Sequence, residues 1–235
     1  MAFLLCLIFS LTSAITYFCT WKAMPANWLF DLGDMPLDAG HAPHPESKSL
    51  RVVPHGFFLF LFFLALTLHL SEKVALIDCF WGLSLFWLLA QIALSDFCYR
   101  LIPDQWSLGL AILGLLRLVG EITLTVPNLD FLFSRSFSFI LCSIVTCFLY
   151  LLPNRLLGTP ALGLGDVKLF IALALALSTK EFLTVMGSAA LLGGAVAAGM
   201  MVWSWLRKNP LEQGVPYGTV VFIAAVLDLF FLFEA

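Results

Sequence analysis

Apolar residues in this chain fall into runs separated by short polar stretches. The runs lie at Phe3–Phe18, Phe57–Leu70, Val74–Leu94, Trp106–Val119, Phe137–Leu152, Leu169–Leu177 with its flanks, Phe182–Trp205 and Val220–Phe233. A helix needs about 20 apolar residues to cross a bilayer, so the pattern predicts an all-α, polytopic transmembrane helical bundle of eight spans. The second and sixth runs are short, so either is tilted, partly re-entrant or covered by its neighbours, and a count of seven stays open. No Lys or Arg precedes the first run, and Lys22 follows it. A cleaved signal peptide has the reverse order, so this run reads as a retained span with its N-terminus outside. Residues 1–55 read as an N-terminal span with its loop, and residues 56–235 as the main transmembrane domain.

Composition supports this reading: 61% of the 235 residues are hydrophobic and 11% charged. The net charge of −3 singles out no partner class and gives no sign of nucleic-acid binding. Between Ala23 and Pro54 the chain turns to Pro, Asp, His and Gly, the one loop of any size. His41, His44 and nearby His55 share no spacing that fixes them on one helix face, and no cysteine joins them, so no metal is assigned. Cys6, Cys19, Cys79, Cys98, Cys142 and Cys147 contain no C-x-x-C pair and read as soft packing residues. On the seventh run Ala190, Gly194 and Ala198 recur every four residues, a pattern that lets a helix pack closely on its neighbours. No oligomer is inferred from it.

Two acids interrupt this apolar pattern. Asp96 ends one run just before a turn, and Asp166 stands between Gly163-Leu-Gly165 and the run that begins at Leu169. Ionisable groups in membrane segments are costly and are by default candidates for function. Lys and Arg concentrate in the cytoplasmic loops of membrane proteins. With the N-terminus outside, Lys22, Lys48, Arg51, Arg100, Arg155, Lys168, Arg207 and Lys208 fall on the cytoplasmic side, against Lys73, Arg117, Arg135 and Lys180 opposite. The same threading puts Asp96 and Asp166 together at the cytoplasmic face. Two carboxylates held close cannot both ionise cheaply, so one keeps a proton and the pair contains an acid and a base. Such a pair hydrolyses a peptide without a metal or other cofactor. Gly163 and Gly165 provide backbone freedom and room for an extended substrate strand. The plainer reading stands beside this one: Asp96 as a helix-end acid, Asp166 and Asp104 as helix N-caps, Lys168 and Arg100 snorkelling to headgroups.

Gly163-Leu-Gly-Asp-Val-Lys168 resembles the G-x-G-D-x-K signature of the type IV prepilin leader peptidases, the bacterial branch of the intramembrane GxGD aspartyl proteases. Asp96-Phe-Cys-Tyr-Arg-Leu-Ile-Pro-Asp104 is similar to the family's aspartate followed at fixed spacing by Ile/Leu-Pro-Asp/Asn. Val215-Pro-Tyr-Gly218 resembles its Pro-Phe/Tyr-Gly element. The resemblance implies catalytic roles for Asp96 and Asp166, with Gly163, Gly165, Lys168, Pro103, Pro216 and Gly218 as supporting residues. It implies a multi-pass enzyme of the bacterial inner membrane that removes basic leader peptides from prepilins or pseudopilins at the cytoplasmic face, after a glycine. Acids Asp31, Asp34, Asp38 and Glu46 of the first loop would then meet a Lys-rich leader. Bifunctional relatives carry two C-x-x-C pairs in that loop, linked to N-methylation; Ala23–Pro54 holds no cysteine, so peptidase activity is expected and methyl transfer is not. A small proton- or ion-coupled transporter using the same acids is the alternative, although transporters bind near the midplane.

Overall fold

The computed structural model describes residues 8, 11, 15, 76–99, 102–124, 129–157, 163–207 and 215–232. The expected second span and the loop at 23–54 lie outside these residues, as does the first span apart from three helical positions. Every element among the described residues is a helix: α1 Leu76–Tyr99, α2 Asp104–Leu124, α3 Leu129–Leu157, α4 Leu164–Ala176, α5 Thr179–Arg207 and α6 Tyr217–Leu232. They correspond to the last six apolar runs. Three contain stretches long and apolar enough to cross a membrane: Phe80–Phe97, Asp104–Thr123 and Thr179–Leu206.

Polar punctuation sets the helix starts. Pro103 precedes α2, and its carbonyl accepts the N–H groups of Trp106 and Ser107 at 3.2 and 3.4 Å. Proline suits this position because it lacks an N–H and its φ is already near helical. Pro216 plays the same part for α6, accepting the Val220 N–H at 3.2 Å. Ser178 opens α5 through a capping box: its N–H donates to Glu181 Oε2 at 2.7 Å, and the Glu181 N–H donates to Ser178 Oγ at 3.3 Å.

The helices pack in the order α3–α4–α2–α1–α6–α5, with α5 touching α3 and α4 only lightly. This makes two groups, α2–α4–α3 and α1–α6–α5, joined chiefly where α1 meets α2. α1 is an interior helix: 67% of its apolar window is buried, against 22% for α2 and 17% for α5, whose outer faces suit lipid. Leu83, Leu85, Phe86, Leu89 and Ile92 of α1 join Leu169 and Leu173 of α4 and Leu177, its C-cap, in one core.

α4 is short, at about 20 Å for its 13 residues, less than a hydrocarbon core of about 30 Å. Of the readings open for this run, the structure shows burial by neighbours: Val167, Leu169, Phe170, Ala172, Leu173, Ala174 and Ala176 are all enclosed. Contact with α2 is closest at Gly114, where an added Cβ would lie 2.6 Å from the Ala176 nitrogen. Only a residue without a side chain lets the two backbones meet there. Beside this crossing, Arg117 of α2 donates to Glu181 Oε2 at 3.2 Å and to the Ala176 carbonyl at 3.3 Å. Its Nε pairs with Glu121 at 3.0 Å, and its guanidinium lies over the Trp81 ring at 3.7 Å. One side chain thus ties α1, α2, α4 and α5 together at one end of the bundle.

The small-residue stripe on α5 differs from expectation. Ala190, Gly194 and Ala198 are exposed, and no described atom lies within 4 Å of a Cβ built on Gly194. The packed face is offset by one residue, through Val185, Ala189 and Gly193, with Gly193 against Tyr217 and Val220 of α6. A spacing of four identifies a stripe but not the direction in which the helix turns it.

Candidate active site

Asp96 and Asp166 meet at the end of the bundle opposite Arg117. There the C-terminal end of α1 adjoins the N-termini of α2, α4 and α6. Asp96, in the last turns of α1, is only 6% exposed. Its Oδ2 accepts the Gly218 N–H at 2.6 Å and the Thr219 N–H at 3.4 Å, the free donors at the start of α6. Thr219 Oγ1 donates to the Ala93 carbonyl at 2.9 Å, fastening the same two helix ends. A carboxylate at a helix N-terminus is favoured by unpaired N–H groups and by the helix dipole. Gly218 has to be small: a Cβ there would lie 3.2 Å from both Cβ and Oδ2 of Asp96 and 3.3 Å from Ile92.

Asp166 occupies the first turn of α4, three residues after its N-cap, Gly163. The carboxylate folds back towards the Gly163 N–H, the reach-back half of a capping box. Asp166 is therefore not the N-cap of the plainer reading. A Cβ on Gly163 would come within 3.1 Å of Asp166 Oδ2. Gly163 has φ −68° and ψ 150°, open to any residue, so space for the carboxylate distinguishes glycine here, not backbone freedom.

Gly165 has a neighbour from the chain itself. A Cβ on Gly165 would stand 3.1 Å from Cβ of Ile102, in the turn between α1 and α2, so Ile102 takes the close approach offered by this glycine. Two residues beyond Asp166, Lys168 Nζ pairs with Asp104 Oδ1 at 2.7 Å. Asp104 is the first residue of α2 and not the N-cap expected from sequence, and its carboxylate serves this cross-helix pair. Pro103 and Pro216 stand immediately before α2 and α6, helping to fix where these two helices begin at the site.

The two acids lie close enough for the charge of Asp96 to act on Asp166, and Asp166 acts in turn on the Tyr217 phenol. Two helix N-termini, those of α4 and α6, aim their N–H groups at the pair and offset part of its repulsion. Tyr217 was not singled out from sequence. Its ring sits edge-on to Phe170 at 5.5 Å and rests on Gly193, adjoining both acids' surroundings. Its position beside Gly218 in the Pro-Tyr-Gly element was the available signal. Among the described residues no three His, Cys, Asp or Glu side chains gather as a metal site would require.

Residues 83–198, a stretch that includes both aspartates, match the model of the type IV leader peptidase family. No curated protein and no solved structure matches the chain.

Proposed function

We propose that this chain, which belongs to the type IV leader peptidase family, is an aspartyl endopeptidase whose acid and base are Asp96 and Asp166. The family supports a membrane peptidase in general terms. The observation that carries the finer reading is the convergence of these two carboxylates from distant helices, each against a helix N-terminus. In the reaction one carboxylate removes a proton from water as the water oxygen bonds to the scissile carbonyl carbon. The protonated partner donates to the carbonyl oxygen, giving a tetrahedral diol. The carboxyl that now holds the proton gives it to the leaving nitrogen while a diol hydroxyl returns its proton to the other carboxylate; the C–N bond breaks, a carboxylic acid and an amine form, and the pair again carries one proton. Gly163, Gly165, Lys168, Pro103, Pro216 and Gly218 support the two acids.

The substrate we propose is a prepilin or pseudopilin, with a basic leader removed at the cytoplasmic face of a bacterial inner membrane. The uneven placement of Lys and Arg supports that orientation. Cleavage of a prepilin with a Lys-rich leader, in membranes, tests the reading. The unsubstituted chain should shorten the substrate, and Asp96→Asn and Asp166→Asn should each reduce the rate by about 10²- to 10⁴-fold at equal expression. Normal cleavage by either variant would remove that residue from the mechanism.

A further inference from the structure

We infer that the turn Ile102-Pro103-Asp104 is a positioning device that sets where Asp166 stands relative to Asp96, through the Asp104–Lys168 ion pair and the seat of Ile102 on Gly165. The inference rests on the aspartyl peptidase reading. Its basis is the layout of contacts around Asp166. The residue immediately before it, Gly165, bears on Ile102, and Lys168, two residues after it, is bonded to Asp104 at 2.7 Å. The turn therefore grips α4 on both sides of the acid. The same turn leads directly from α1, whose Asp96 is fixed on its other side by Gly218 and Thr219.

Among the described residues, the route through α6 is weak. α4 touches α6 only lightly, although α6 holds Asp96. The helix dipole explains Asp104 at the start of α2 but not Lys168 near the start of α4, where a cation is disfavoured. Pairing across the helices accounts for both. With side-chain exposures of 33% and 44%, this is a half-exposed pair, and such pairs contribute little to global stability. Its effect is therefore on local geometry, to which an acid–base pair is sensitive.

The test uses the purified full chain and a prepilin with a Lys-rich leader. Misplacing a catalytic group by about 1 Å costs about 10²-fold, so Lys168→Met and Asp104→Asn should each lower kcat by about 10- to 100-fold, with KM within about twofold. Lys168→Arg, which keeps charge and reach, should recover most of the rate. The double variant Asp104→Asn/Lys168→Met should be no slower than the slower single variant, as for two residues acting as one unit. Unchanged kcat, a rise confined to KM, or multiplying effects in the double variant would each overturn the inference. Spin labels at exposed Phe97 and Leu164, which stand beside the two acids on α1 and α4, in a chain with its native cysteines replaced, give a readout that needs no turnover and leaves both carboxylates in place. Lys168→Met should shift or broaden their distance distribution, and an unchanged distribution would overturn the positioning role. An unsubstituted chain that cleaves nothing would count against the peptidase reading, while the label distances would still judge the device.

Discussion

The Gly218 backbone donates to Asp96 Oδ2 across 2.6 Å, although the two residues stand 122 positions apart in the chain. The position of the Asp96 carboxylate on α1 thus depends on the first turn of α6. Gly218→Ala would introduce a methyl group 3.2 Å from the Asp96 carboxylate oxygen and push it off this donor. We expect kcat to fall by about 10²-fold, in line with a catalytic group displaced by about 1 Å. Steady-state cleavage with a thermal melt of the same preparation checks this, since the melt should move far less than the rate.

The proposed reaction needs one proton on the pair. Activity should therefore fall on the acid side, as both carboxyls become protonated and the base is lost. It should fall again on the alkaline side, as both ionise and the acid is lost. A bell-shaped kcat profile is expected. A rate that rises to a plateau without an alkaline limb would mean that the second carboxylate donates no proton.

Gly114 and Gly120 lie on the same helix and should respond oppositely to alanine. At Gly114 the new methyl would lie 2.6 Å from backbone atoms of α4, so the helices must part, at a cost of about 1–3 kcal/mol. At Gly120 no described atom lies within 4 Å, and alanine should be neutral or gain up to about 1 kcal/mol from helix propensity. Unfolding midpoints in one detergent, compared side by side, decide the matter.

Arg117→Gln removes the shared partner of Glu121, Glu181 and the Ala176 carbonyl. With Arg117 and Glu181 side chains 18% and 20% exposed, the loss should destabilise the chain by about 1–3 kcal/mol. Arg117→Lys should recover only part of this, because an ammonium lacks the planar fork that serves several acceptors and stacks on Trp81. Equal midpoints for Gln and Lys would mean that the fork contributes nothing.

How much of this was legible in sequence depended on the kind of signal. Apolar runs gave the six described helices, because burial in lipid or protein requires such runs whatever the neighbours are. Asp96 and Asp166 stood out because charge is rare in that background. Partners were harder to read. Arg117 counted only as a basic residue on the side opposite the acids, and its bonds to α4 and α5 depend on a crossing at Gly114 that hydropathy does not encode. Gly165 suggested room, but Ile102 fills that room from 63 positions upstream. Ser178-x-x-Glu181 carries the linear signature of a capping box, while the facing of the Ala190 stripe has no linear signal.

The Gly114–Ala176 crossing also makes a lever of α4. Asp166 stands ten residues before Ala176, so about 15 Å of rigid helix separates the acid from the point where α4 is pinned. Turning α4 by about 4° around that pin carries its N-terminal end through about 1 Å, a displacement large enough to change an acid–base rate about 10²-fold. A substitution that parts this crossing, as Gly114→Ala would, is therefore expected to lower turnover without touching either carboxylate.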